Sequence, residues 1–366
     1  MLALKVSLAL IVFGGAGSAL ALHLNLASHK TPPPVGLPSW ALPPGALPSG
    51  ALPSGALPSG AAQVPDDCIT VPHACGFPDG TNTGVPRGMT LRSVPRQVSS
   101  GPGWHFDPRG GYVVVTARGT VLSGLSIPCN LSIEASDVTV QDVQVVTGGY
   151  FGISLRHTTG VTIEDSTISG RNLTRGRVNS AIDDVYGDST GIVIKNDNIS
   201  RFRTGVQIST GLIVSNYIHD PGYIYGDHTN GISADRTDEP LTIYGNTVFN
   251  DLGQTDDISL DASRSGQNVA NKIVVDNLLA GGAYSIYGGN GPRRNPTSNI
   301  VIEDNDFGQL YYPLGGHYGP VAYFDPAGTG NVWSGNVWSG TGFPGKVAVL
   351  PGVRRSGAQS GTAASG

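Results

Sequence analysis

His228, Asp235 and Asp261 are the residues whose types and spacing best suit acid–base chemistry. Gly231-Ile232-Ser233 and Asp257-Ile258-Ser259-Leu260 read as short strands. Stacked in register, they hold Asp235 and Asp261 about 4.8 Å apart, close to the roughly 5 Å at which two carboxylates serve as acid and nucleophile on a glycosidic bond. His228 stands at the entrance to the first strand, where an imidazole serves as a proton acceptor. Asp227, His219, Asp220, Tyr223 and Tyr225 crowd the loop before it. Asp183, Gln207, Asp257, Arg156 and Tyr225 are the candidates for holding a substrate. The guanidinium of Arg156 suits a sugar carboxylate, Tyr225 offers a ring face for stacking, and an acidic face of this kind suits Ca²⁺ through oxygen ligands. Asp183 and Asp184 are adjacent, so on a strand they point to opposite faces, and only Asp183 is expected outward. The plainer alternative is that His228 and Asn230 bond the turn and the aspartates form a solvated face.

A repeat supplies the elements that position these residues. Segments beginning at Val138, Val161, Ile192, Leu212, Leu241, Ile273 and Ile300 align. Their third position is Val140, Ile163, Ile194, Val214, Ile243, Val275 and Ile302, and their fifth is Asp142, Asp165, Asn196, Asn216, Gly245, Asn277 and Asp304. β-branched residues at the third suit a buried strand; Asn, Asp and Gly at the fifth tolerate the left-handed backbone of a sharp bend. A second strand accompanies most copies, and its outward column reads Ser154, Asp183, Gln207, Ser233, Ser259, Tyr287, beside a column with Arg156, Asp235 and Asp261. One coil cannot bury its apolar face alone, so the coils must stack. The expected fold is an all-β, single-stranded parallel β-helix, with residues 112–116 and 121–127 extending the stack. An antiparallel sandwich explains the aligned Asn/Asp position less well.

Composition agrees. Of 366 residues 53 are glycine and only 13% are charged, against about 7% and 25% in ordinary domains. The net charge of -5 comes without a basic run, which argues against a nucleic-acid partner. Residues 1–21 resemble a signal peptide or an uncleaved N-terminal anchor, with an apolar run over 6–22 and Ala19-Leu20-Ala21 as a small-x-small cleavage site. Residues 22–63 hold three copies of Ala-Leu-Pro-Ser-Gly, a semi-rigid proline-rich linker. A small cap over 64–95 is expected to be stapled by Cys68 and Cys75, the β-helix to occupy 96–345, and a tail 346–366. Cys129 reads as a small buried apolar residue. The aromatic segment of Tyr311, Tyr312, His317, Tyr318 and Tyr323 either caps the last coils or offers a platform for sugars.

Phe77-Pro78-Asp79, the run Thr81-Asn82-Thr83-Gly84-Val85-Pro86, His228-Thr229-Asn230-Gly231-Ile232, Gly319-Pro320, and the pair Gly330-Asn331-Val332-Trp333 and Gly335-Asn336-Val337-Trp338 resemble secreted actinobacterial β-helix proteins of the pectate-lyase-like superfamily. That resemblance, over most of residues 64–345, implies a right-handed helix and a carbohydrate context. It carries over no catalytic residue, and Asn230, standing where similar proteins often have Asp before Gly-Ile, argues against an acid–base role at that position. The expectation is thus a secreted or surface-tethered monomer acting on a polysaccharide or cell-wall glycan, as lyase or glycoside hydrolase, touching a membrane only through an uncleaved N-terminus. The alternatives are a non-catalytic glycan-binding module and a rigid structural rod.

Overall fold

The computed structural model describes residues 68–234, 238–260, 266–292, 294–340 and 347–348. Residues 1–67, with the expected leader and proline-rich linker, and all of the expected tail but residues 347–348 lie outside them. Three sheets of 11, 11 and 9 strands are built almost wholly from parallel pairs. The chain passes from a strand of the third sheet (Thr139–Gln141) to the first (Gln144–Thr147) and then the second (Phe151–Leu155), and repeats this circuit, so that each sheet gains every third strand. This is the strand order that a parallel β-solenoid produces. The early segments extend the same sheets: Tyr112–Val115 pairs with Leu131–Ile133, and Val121–Ser123 with Thr139–Gln141. Trp104–Asp107 pairs antiparallel with Tyr112–Val115 at the start of the second sheet. No helix of the described residues is long and apolar enough to cross a membrane.

The repeat lies where the sequence places it, except for a one-residue shift in two copies. Val140, Ile163, Ile194, Ile213, Ile243, Val274 and Ile302 stack in register and are buried in one continuous core. Ile213 and Val274 take the inward position expected for Val214 and Val275, because a one-residue slip along a strand exchanges its two faces. The bend moves with them: Asp142, Asp165, Asn196, Ser215, Gly245, Asp276 and Asp304 have φ between 49° and 63°. Ser215 and Asp276 thus hold the left-handed corner expected for Asn216 and Asn277.

The next residue in each coil builds a buried polar ladder. Asn216, Asn246, Asn277, Asn305 and Asn336 each accept, through Oδ1, the backbone N–H of the rung below at 2.9–3.0 Å. Each Nδ2 donates to the carbonyl of the third-sheet residue one coil back, as Asn216 does to Ile194 at 3.0 Å. Asp197 occupies the rung before Asn216 and accepts the N–H of Ser166 at 2.7 Å through Oδ1, but its buried Oδ2 has no hydrogen-bond partner. In the next rung the atom at this place, Asn216 Nδ2, donates to two acceptors, the Ile194 carbonyl and Oδ1 of Asn246, and a carboxylate oxygen has no proton to donate. Burial therefore pushes the Asp197 carboxyl well above its ordinary range, opposed by the Ser166 N–H and reinforced by Asp165 and Glu164.

A raised acid pKa in the folded state contributes stability that is complete below the unfolded value, about 4, and lost as pH rises through the folded one. Asp197→Asn, which restores the missing donor, is expected to stabilise the protein at pH 7 by about 2 kcal/mol, a rise of roughly 4–8 °C in Tm. The gain should vanish near pH 4. Thermal melts of both proteins at the two pH values check this, and an equal gain at both would show that the carboxylate charge is not the cause.

Two further features anchor the loops. Cys68 and Cys75 form a disulfide with Cα atoms 5.4 Å apart, and their segment lies lengthwise along the first sheet. Ile69 packs with Phe249, Leu278 and Ala280, Gly84 donates to the Asn196 carbonyl at 2.8 Å, and Val85 donates to Oγ1 of Thr167 at 3.1 Å. Gly308 permits this approach, since a Cβ there would fall on Ile69. Lys272 is wholly buried, and its ammonium donates to the carbonyls of Ser209 and Glu239, tying two connections between the second and third sheets. Burial lowers its pKa to about 8, against the pull of Glu239 and Asp238.

Candidate functional site

The outward column of the second sheet is in the expected register. Ser132, Ser154, Asp183, Gln207, Ser233, Ser259 and Tyr287 are consecutive partners on neighbouring strands. Alternation along each strand produces this column, because the residues on either side, such as Ile153 and Leu155, turn into the core. Asp183 is only 6% exposed within it. Asp184 stands opposite Leu155, one position further on, and accepts the N–H of Ser189 at 3.2 Å. Burial raises its pKa, against the Ser189 bonds. The two aspartates thus address different neighbours, as their adjacency requires.

At the early end of this face a groove of about 610 Å³ opens between Tyr112, Asn130, Ser132, Glu134, Arg156, His157 and Tyr186. Its polar groups are oriented by one another. Asn130 donates to the Gly152 carbonyl at 3.1 Å, and Ser132 donates to Glu134 at 2.9 Å. Arg156 donates to the Tyr186 hydroxyl at 3.2 Å, and its guanidinium lies 5.8 Å from the centre of that ring and 5.9 Å from the centre of Phe151. His157 stacks on Tyr186 at 4.1 Å with the planes 4° apart, and its Nδ1 meets Asp188 at 2.6 Å. The groove therefore combines a held cation, an acid, an amide and flat ring surface. The alternation Leu131-Ser132-Ile133-Glu134 signals Ser132 and Glu134 in sequence; Tyr112 opens the neighbouring strand, and His157 and Tyr186 come from the connections that follow their strands.

Other site candidates are placed differently. Asp235 and Asp261 lie outside the described residues. Tyr225 is 95% exposed, and His228 is exposed on the same loop, 220–229. Asp227 does not join His228; it accepts Nε and Nη2 of Arg177 at 2.7 and 2.6 Å and the N–H of Ile224 at 2.8 Å. That loop reaches back across a coil whose connection is the single residue Arg201, with φ 57°. Gly222 then bonds Phe202 and Tyr223 bonds Leu173.

Asp257 is inside the molecule and not beside the face. It is 0% exposed and aligned with Gly231 and Ser285. A Cβ on Gly231 would lie 2.4 Å from the core methyl of Val248, which gives the direction of that column. Neither Asp257 oxygen has a hydrogen bond of ordinary geometry, and burial, opposed by the nearby Ser285 hydroxyl, raises its pKa well above the usual range. An enclosed carboxyl does not contact a ligand on the outer face.

Among the described residues no group of three or more His, Cys, Asp or Glu is gathered as metal ligands. No protein-family model matches the chain, and no similar curated protein is found.

Proposed function

We propose that the protein is an extracellular, right-handed parallel β-helix that acts on a polysaccharide, with the outer face of the second sheet as the track for the chain. The observation that carries this reading is the open groove of Arg156, Tyr186 and Glu134 at one end of the polar column that runs from Ser132 to Ser259. Within the column Ser132, Ser154 and Ser233 are covered and Gln207 is half-buried, so the polar row backs the track and Gln207 lies nearest a ligand. The groove adds ring faces and a guanidinium for one sugar unit.

A non-catalytic glycan-binding module is the second reading. It is favoured by Asp183 being the one carboxylate in that column among the described residues. The deciding experiment incubates the protein with neutral and uronate-containing polysaccharides, with and without calcium, while following ultraviolet absorbance and new reducing ends. Both signals rising assigns a lyase, reducing ends alone a hydrolase, and retention on the glycan without product a binding module. Arg156→Ala is expected to weaken retention about tenfold. Neither product nor retention across the panel would sink the proposal.

A further inference from the structure

The far end of the same face has a different chemistry. Six strand-to-strand steps separate Ser132 from Tyr287, a distance of roughly 29 Å at about 4.8 Å each. There the polar column gives way to a continuous ribbon of rings that crosses the sheet. Tyr312 and His317 have centroids 5.3 Å apart, His317 and Tyr318 4.5 Å, Tyr318 and Tyr284 5.9 Å, Tyr284 and Tyr287 5.9 Å, and Tyr287 and Tyr323 5.3 Å. Tyr318 is 63% and Tyr323 40% exposed, so these rings do not serve only to close the last coils.

We infer that this ribbon is a second saccharide subsite, which stacks uncharged pyranose rings and makes the protein bind long chains in preference to short ones. The inference rests on the second-sheet face being a polysaccharide track. Tyrosine presents an apolar ring face with a hydroxyl at its edge, matching the C–H face and rim hydroxyls of a pyranose. The ribbon is five tyrosines and one histidine, with no lysine or arginine among its rings, so it offers an acidic ligand little that a neutral one lacks. It is continuous with the polar column, and the groove lies at the opposite end. A trisaccharide or tetrasaccharide occupies one end at a time, whereas a polymer engages both, so the second contact forms at high effective concentration.

Calorimetric titration with xylan, mixed-linkage β-glucan and polygalacturonate, and with a tetrasaccharide from each, tests this. A neutral polymer is expected to bind at least tenfold more tightly than its tetrasaccharide. Tyr318→Ala and Tyr287→Ser, the latter placing in the column the residue found at positions 233 and 259, should each shrink that preference by up to about tenfold. Tyr318→Phe should keep it. Circular dichroism melts identify any variant that loses its fold, in which case the remaining one decides. Folded tyrosine variants that keep the full polymer preference would overturn the inference and leave the track standing. So would a loss of self-association in Tyr318→Ala with glycan binding intact. Failure of the unaltered protein to bind any of the three polymers would overturn both.

Discussion

Asn277→Ala is expected to cost about 3–5 kcal/mol, among the largest losses that a single side chain outside the apolar core can cause here. Its Nδ2 donates to Ile243 and Val275 carbonyls at 3.0 Å, and its Oδ1 accepts the N–H and Nδ2 of Asn246 at 2.9 Å. Asn277 is fully buried, so water does not replace these partners, and each abandoned group pays its desolvation cost. Chemical denaturation of both proteins measures the difference, and a loss below 1 kcal/mol would mean that the ladder is decorative. Asn277→Asp is the sharper probe. It recreates the situation of Asp197, so its penalty should be large at neutral pH and shrink as pH falls toward 4.

Arg177→Ala is expected to release the loop that bears Tyr225 and His228. Arg177 and Asp227 are only 10% and 11% exposed, and removing one partner of a buried pair typically costs about 3–5 kcal/mol because the other charge stays desolvated. Here the chain has an escape: residues 220–229 can open and rehydrate Asp227 without unfolding the coils. The global melting temperature should therefore move less than the pair energy suggests. Amide exchange at Gly222, Tyr223, Ile224 and Asp227, all protected by loop hydrogen bonds, should accelerate about a hundredfold or more. Exchange unchanged at those four amides would show that the ion pair does not hold the loop.

The coils were readable in the sequence because they repeat a residue type, and stacking makes a repeat visible. The slips at Ile213-Val214 and Val274-Val275 arose where two β-branched residues adjoin, since either fits the inward position by type alone. The next polar residue, Asn216 or Asn277, then seemed to be the bend, although it is the rung after it. Asp257 was misplaced for a different reason. Alternation through Asp257-Ile258-Ser259 turns Asp257 outward with Ser259, but near the start of these strands the Gly231 column also faces the core. The pairing of Arg177 with Asp227 was illegible because it joins connections two coils apart, across the one-residue turn at Arg201. Loop lengths, unlike ladders, leave no periodic trace.

The segment lying along the first sheet bears on the timetable of assembly. Ile69 rests on Gly308 and Ala280, and Gly84 and Val85 bond to Asn196 and Thr167. As the chain emerges from its N-terminus, residues 68–85 appear before any surface they will cover. Their docking ground is complete only once residue 308 has been made and its coil laid down, so these contacts have very long sequence separation. The first of the described residues to leave the ribosome, they are among the last to reach their places.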